Sequence, residues 1–373
     1  MPIPLFKPYF PEPMRRAILA DMDEIMSSGR LMFGPQQKRF EPAFAERVGT
    51  AEAVSVNTCT TALTICLKYL GAEGGEVLVP SGTFLTSVSS VLFAGGTPVL
   101  VDMNPETLAL DPGDLARKLT PRTKGVVWVH LTGVVSHEYE KIVAFCKDNG
   151  LFLIEDCAHA LGAAADGAPV GSLGDAGCFS FYPTKITTSG TGGMIATSNP
   201  GLAEYARQMR IFGKVLDGPD KNEIIHLGND WFLDEFRCCV AYHQLTLLDE
   251  IIAGRNALAQ RYREALAEAP GIAMTPHPEN LTFTYYQFPV FLDPALDHAG
   301  FLDALHNDHG VQAKAIYKPT HQERALQRFD TGDLQATEST LGRSACLPLY
   351  LGMTDEEFET VVGGVKAALE KVS

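Results

Sequence analysis

Two short segments carry residue types that could do chemistry together. Ile154-Glu155-Asp156-Cys157-Ala158-His159 closes an apolar run on a carboxylate, and Phe179-Ser180-Phe181-Tyr182-Pro183-Thr184-Lys185 sets a lysine just past the next one. An anion for a ring nitrogen and an amine for an aldehyde are what pyridoxal 5'-phosphate needs from a protein. Taken singly, a buried lysine reads as a snorkelling or ion-paired side chain, and a strand-end aspartate as a turn former. The order, spacing and shared strand context of Asp156 and Lys185 weigh against both readings. Lys185 would form the imine with the cofactor. Once released, its amine, brought toward neutrality by desolvation, would move the proton between the carbons flanking the imine nitrogen. Asp156 would keep the ring nitrogen protonated, so that the ring accepts the electrons this proton leaves behind.

These residues need a scaffold, and the apolar runs supply one. Ala53–Val56, Glu76–Val79, Pro98–Val101, Gly125–Val129, Leu151–Ile154, Gly177–Phe181 and Gly193–Ala196 are strand candidates interleaved with amphipathic segments. Such alternation predicts an α/β fold with a seven-stranded, mainly parallel sheet covered on both faces. Asn57-Thr58-Cys59-Thr60-Thr61 follows a strand and opens a helix, where free backbone N–H groups and the helix dipole can hold a phosphate. Thr is also a routine N-cap, so this signal alone is weak. Met14, Ile18, Met22, Ile25 and Met26 recur at helical spacing up to Gly29 and read as a core stripe. A long helical pattern from Leu233 to Ala267 leads into a smaller C-terminal α+β unit with a strand at Tyr286–Phe291, a helix around Gly300–Leu305 and a last helix from Asp355 to Leu369. The division is a large cofactor-binding domain, 1–240, and a small C-terminal domain, 241–373, with the boundary near Ala241.

At the residues quoted for Asp156 and Lys185 the chain resembles the DegT-type nucleotide-sugar aminotransferases, pyridoxal phosphate enzymes of fold type I. The resemblance extends from Ile3 to about Leu369 through Phe40-Glu41, Val56 to Leu63, Pro80 to Thr83, Val129-His130-Leu131, Gly171 to Gly177 and Gln244-Leu245. It implies that one strand of the sheet runs antiparallel. It places His159 at the cofactor's phenolic oxygen, Phe84 against the ring face, and Cys59, Thr60 and the Ser180 hydroxyl on the phosphate. It implies a homodimer with shared active sites, an amino-acid donor (L-glutamate) and a small-molecule keto acceptor: a sugar, nucleotide sugar or cyclitol.

Several positions depart from that family's pattern. Cys59 stands where Gly is usual, Thr191 where an acid is common, and Ile316 where His often precedes Tyr317. Leu227-Gly228-Asn229-Asp230-Trp231-Phe232 replaces a stretch in which an Asn reaches the other subunit's phosphate, followed two positions on by Arg or Lys. An ionised Asp230 about 4 Å from a phosphate would cost on the order of 4 kcal/mol per charge pair at an effective dielectric of about 20. The expectation is therefore that Asn229 takes over the contact or that Asp230 turns to a cation, and that Phe232 changes the acceptor pocket.

Thirty Lys and Arg against 45 Asp and Glu leave a formal charge of −15, which opposes nucleic acid and anionic membranes as partners. Lys314, Lys318, His321 and Arg324 could offset it locally for an anionic substrate, or form a solvated face. The N-terminal residues lack a secretory pattern and no run is long enough to span a bilayer, so a cytoplasmic protein is expected. The eight cysteines show no metal or disulfide spacing and read as buried thiols, the adjacent Cys238 and Cys239 included. His130, Glu155, Asp156 and His159 do not form a closed metal set, and Ser180 lacks a nucleophile elbow. Related sugar dehydratases carry His in place of the imine lysine, so Lys185 argues against that chemistry. Two alternatives stay open: an aminotransferase for a non-sugar metabolite of a specialised pathway, and a cofactor-binding regulator without turnover.

Overall fold

Short Val-, Ile- and Leu-rich runs bounded by Gly and Pro fold as strands buried on both faces. The computed structural model describes residues 2–373. In chain order the first strands are β1 (Glu52–Val56), β2 (Glu76–Pro80), β3 (Thr97–Val101), β4 (Thr123–Val129) and β5 (Phe152–Asp156). A two-residue pair, β6 (Ala164–Ala165) and β7 (Ala168–Pro169), precedes β8 (Ala176–Ser180) and β9 (Gly193–Thr197). Seven of these form one sheet in the order β1-β9-β8-β5-β4-β2-β3. β9 is the antiparallel member, pairing against both β8 and β1, while β2, β3, β4, β5 and β8 pair in parallel.

After α1 (Glu12–Ser28), the helices α2 (Pro35–Val48), α3 (Cys59–Tyr69), α4 (Leu85–Phe93), α5 (Pro112–Lys118), α6 (Tyr139–Asp148) and α7 (Pro200–Met209) cover the sheet. α1 ends at Gly29, whose left-handed φ of 67° lets its N–H close back on Ile25 and Met26. Met14, Ile18 and Ile25 of the expected core stripe are buried and Met22 packs beside them, but Met26 is 61% exposed. Adjacent residues diverge around a helix, so one face cannot bury both Ile25 and Met26.

The helical pattern from Leu233 to Ala267 is two helices, α8 (Glu235–Thr246) and α9 (Leu248–Ala265), broken at Leu247. The break serves two cores. Cys239 on α8 packs with the α1 stripe, whereas Leu248, Ile251, Leu258 and Tyr262 on α9 join the main core. Ala241 lies buried within α8. Beyond α9, β10 (Ile272–Met274), β12 (Phe288–Leu292) and β13 (Ser344–Leu347) make a small antiparallel sheet, with β11 (Leu281–Thr282) reaching back to β6. The helices of this part are α10 (His298–His309), α11 (Gln335–Gly342) and α12 (Asp355–Val372). Its central strand starts two residues later than the expected Tyr286, because Tyr285 takes a φ of 46° and interrupts the extended chain.

Beneath β8 lies an aromatic cluster. Phe44 meets Phe179 edge-on at 4.9 Å and Phe40 and Phe181 at 5.9 Å, all four rings being buried. This cluster seats the strand that leads through Ser180 to Lys185. Phe44→Ala should lower the unfolding free energy by about 3–5 kcal/mol, read as a fall in the urea midpoint with an unchanged slope.

Candidate active site

Parallel strands present their carboxyl ends on one edge of a sheet, and the site lies at that edge. A cavity of about 440 Å³ opens there, lined by Asp156 at the end of β5, Ser180 at the end of β8 and Lys185 beyond it, Thr58, Cys59 and Thr60 at the start of α3, and Phe84 before α4. His159 lines it as well. Of the catalytic and cofactor-binding residues expected from the sequence, Asn229 alone does not line the cavity of its own chain.

Strand alternation sends the two neighbouring acids to opposite sides. Glu155 accepts the Gly171, Leu173 and Gly174 amides at 2.7–2.9 Å and stands 3.0 Å from His130 Nε2, which ties the loop before β8 to β5. Asp156 faces the cavity. It accepts from Ser87 Oγ at 2.7 Å and from the Ala158 amide at 3.1 Å. Burial raises its pKa, against the pull of Ser87, the Ala158 amide, Lys185 and His130.

Lys185 follows β8 through a turn closed by its amide on the Tyr182 carbonyl at 2.9 Å. Its Nζ stands 4.4 Å from the centre of the Tyr286 ring. Burial pulls its pKa down to about 8, opposed by Asp156 and assisted by Lys314. An amine with that pKa has a substantial neutral fraction near neutrality, which nucleophilic attack and proton abstraction both require.

His159 is fixed on three sides. Its ring stacks on Tyr286 at 4.2 Å, its Nδ1 accepts the Thr132 amide at 3.2 Å, and its Nε2 lies 3.1 Å from Tyr317 Oη. Burial, with Lys185 and Lys314 nearby, holds its pKa well below the usual imidazole value. The ring is therefore neutral, and because Nδ1 accepts, Nε2 carries the hydrogen and donates.

Tyr286 is aimed from the small domain by an unusual anchor. The buried Arg255 guanidinium donates to the Thr284, Tyr285 and Tyr286 carbonyls at 2.5–3.2 Å, holding the segment around left-handed Tyr285. Thr284 and Gln287 in turn donate their amides to Gly133 and Thr132. The two domains thus interlock directly behind His159.

At the other end of the cavity, Thr58 caps α3 by accepting the Thr61 amide, while the Cys59 and Thr60 amides have no partner among the described residues. Gly193 lets β9 pass close to this helix start: a Cβ there would lie 2.4 Å from the Thr58 carbonyl carbon and 2.6 Å from Cys59 N. Cys59 tolerates a position usual for Gly because it adopts an ordinary helical conformation as the first residue of α3. Its Sγ lies 3.9 Å from Asp156, and burial beside that carboxylate raises its pKa far above that of a free thiol.

Phe84 is 47% exposed and tilts against Tyr317 at 5.5 Å. Thr191 lines the cavity and donates to the Asn57 carbonyl, whereas Ile316 is buried away from it and leaves Tyr317 at the wall. Asn229 is exposed and accepts the Asp230 amide through Oδ1. Asp230 has no ion pair among the described residues, so the expected turn toward a cation does not occur within one chain. Phe232 packs on Phe33 at 5.5 Å. Sequence reasoning missed Ser87, Tyr286 and Thr184. Ser87 on α4 reaches Asp156, and Thr184 lies 2.8 Å from Tyr286 Oη, only in the folded chain.

Pyridoxal phosphate fits these residues. A buried carboxylate with neutral donors but no contacting cation suits a protonated ring nitrogen, the Lys185 amine suits the aldehyde, and two free amides at a helix start suit the phosphate. The fold and this site define a pyridoxal phosphate-dependent aminotransferase of fold type I. The chain belongs to the DegT/DnrJ/EryC1/StrS aminotransferase family, whose sequence model spans residues 13–366.

Among its relatives, GDP-perosamine synthase of Caulobacter vibrioides is 33% identical over 368 residues, covering 96% of this chain and 95% of that protein. The spore coat polysaccharide biosynthesis protein SpsC of Bacillus subtilis is 30% identical over 376 residues, covering 97% and 96%. The crystal structure of the aminotransferase TlmJ from Streptoalloteichus hindustanus superposes with a TM-score of 0.91 at 33% identity, covering 99% of both chains.

In the cofactor-free chain, the rate at which pyridoxal phosphate condenses at Lys185 should rise with pH through about 8 and then level off, since the neutral amine attacks. Asp156→Asn removes a carboxylate that favours the ammonium, so its inflection should fall to lower pH. A wild-type profile still climbing at the ordinary lysine pKa would contradict this assignment.

Proposed function

We propose that this enzyme takes an amino group from L-glutamate and passes it to a ketone on a sugar, nucleotide sugar or cyclitol. The observation that carries the chemistry is the desolvated Lys185 amine sharing one cavity with the buried Asp156 carboxylate. The acceptor class follows from relatives named for GDP-perosamine and spore coat polysaccharide synthesis. A non-sugar ketone is the second reading, favoured by Phe232 packing on Phe33 where a cation is usual in the family.

Bound pyridoxal phosphate supplies the electron sink. Lys185 would hold the cofactor through its amine and, when free and neutral, would move the substrate proton. Asp156, held by Ser87 and the Ala158 amide, keeps the ring nitrogen protonated. His159, whose tautomer the Thr132 amide fixes, would offer the Nε2 hydrogen that now faces Tyr317 Oη to the cofactor's phenolic oxygen. The Cys59 and Thr60 amides and the Ser180 hydroxyl would hold the phosphate, and Phe84 would cover the ring face.

The working unit is a homodimer in which Asn229 of one protomer reaches the phosphate site of the other. In support, Asn229 is exposed next to an apolar stretch in which Ile224, Ile225 and Leu227 are 63%, 53% and 94% exposed, a surface suited to an interface. A cytoplasmic setting suits the eight unpaired, buried cysteines.

L-Glutamate should convert the visible absorption of the cofactor-loaded enzyme to that of its pyridoxamine form, and an accepted keto sugar should restore it. Lys185→Ala should reduce the rate more than about 100-fold by removing the proton-transfer group. Failure of every amino donor to change the wild-type spectrum would contradict the proposal.

A further inference from the structure

Four cations close together in sequence separate in space. Lys318 faces Glu323 at 3.6 Å, His321 is buried between Ser81 at 2.6 Å and Glu338 at 2.9 Å, and Arg324 is exposed away from the cavity. Lys314 alone of the four lines the cavity. It pairs with no carboxylate among the described residues, and its Nζ lies 5.5 Å from the Phe6 ring centre. The other charged residues lining the cavity are Asp156 and Lys185, both committed to the chemistry proposed above.

An unpaired ammonium on the wall of a partly desolvated site is a recognition element for an anion. An amino-acid donor brings one in a defined place: the carboxylate on the carbon whose nitrogen must replace Lys185. Lys314 stands close enough to Lys185 and His159 for its charge to act on both. We propose that Lys314 binds the α-carboxylate of the amino-acid donor, an inference that rests on the aminotransferase reading.

The side-chain type suits the alternation of two substrates in one cavity. The donor is anionic there and a sugar ketone is not, so a rigidly held cation would favour the first and leave itself unpaired with the second. Lysine is a point charge on a flexible stem. Lys314 is solvent-exposed, so it can turn to water and the Phe6 ring when an acceptor that is uncharged at its reacting carbon enters.

The test follows the two half-reactions of the cofactor-loaded dimer separately by absorbance. Lys314→Met should raise the apparent Kd for L-glutamate about 10- to 100-fold with little change in the limiting rate, because a charge-assisted contact to the bound donor is lost. L-Alanine, whose carboxylate is the α one, should suffer the same loss. Lys314→Arg should restore most of the affinity. The equilibrium spectral titration with α-methyl-L-glutamate, which lacks the transferable proton, should show the same weakening without turnover.

An unchanged Kd for L-glutamate in Lys314→Met overturns the inference. So does a loss for glutamate but not alanine, which would assign Lys314 to the side-chain carboxylate, or a loss confined to the ketone half-reaction. These outcomes leave the aminotransferase reading standing. Wild-type enzyme inert to every amino donor sinks both.

Discussion

A carboxylate that is almost wholly buried must be compensated, and Asp156 is the constraint on which this site turns. Its protein donors are the Ser87 hydroxyl, the Ala158 amide and, at 3.9 Å, the Cys59 thiol, with Lys185 and His130 acting through space. Neutral hydrogen bonds stabilise an anion but do not balance its charge. The pair is therefore poised: burial raises the pKa of the acid and lowers that of the amine, and a bound cationic ring would compensate the first while taking up the second. The sheet order follows from the same need. β4, β5 and β8 are parallel neighbours, so Val129, Asp156 and Cys178 align near one edge and the turn after β8 delivers Lys185 to it.

The small domain takes part in the site. Arg255 gives its hydrogen bonds to carbonyls of Thr284, Tyr285 and Tyr286, an arrangement that holds a left-handed residue in place and presents Tyr286 to Lys185 and His159. Burial lowers even this guanidinium's pKa, to about 10. Ser81 accepts Thr320 from the segment that also carries Tyr317, so the loop bearing Phe84 and the wall facing it are tied together. The cavity is bounded by two domains joined by these backbone hydrogen bonds and by one continuous apolar core.

Strand positions were legible because a doubly covered strand is a short apolar run, and each of the seven expected runs overlaps an observed strand of the large sheet. Asp156 and Lys185 were legible because each sits just past such a run. What was not legible depends on contacts between distant segments. Ser87 meets Asp156 across 69 residues and Thr184 meets Tyr286 across 102, and neither pairing leaves a local mark. The break at Leu247 escaped periodicity because apolar residues continue through it on both sides. The cation group from Lys314 to Arg324 was legible as composition but not as geometry, since the 3₁₀ turn at Thr320–Gln322 buries His321 and sends its neighbours apart.

The account rests on Asp156 remaining an anion that keeps the cofactor ring nitrogen protonated. The direct measurement is the ¹⁵N chemical shift of ring-labelled pyridoxal phosphate bound to the enzyme. The account predicts a protonated-pyridine shift in the wild type that moves to the neutral-pyridine position in Asp156→Ala. A neutral ring nitrogen in the wild-type enzyme would contradict it.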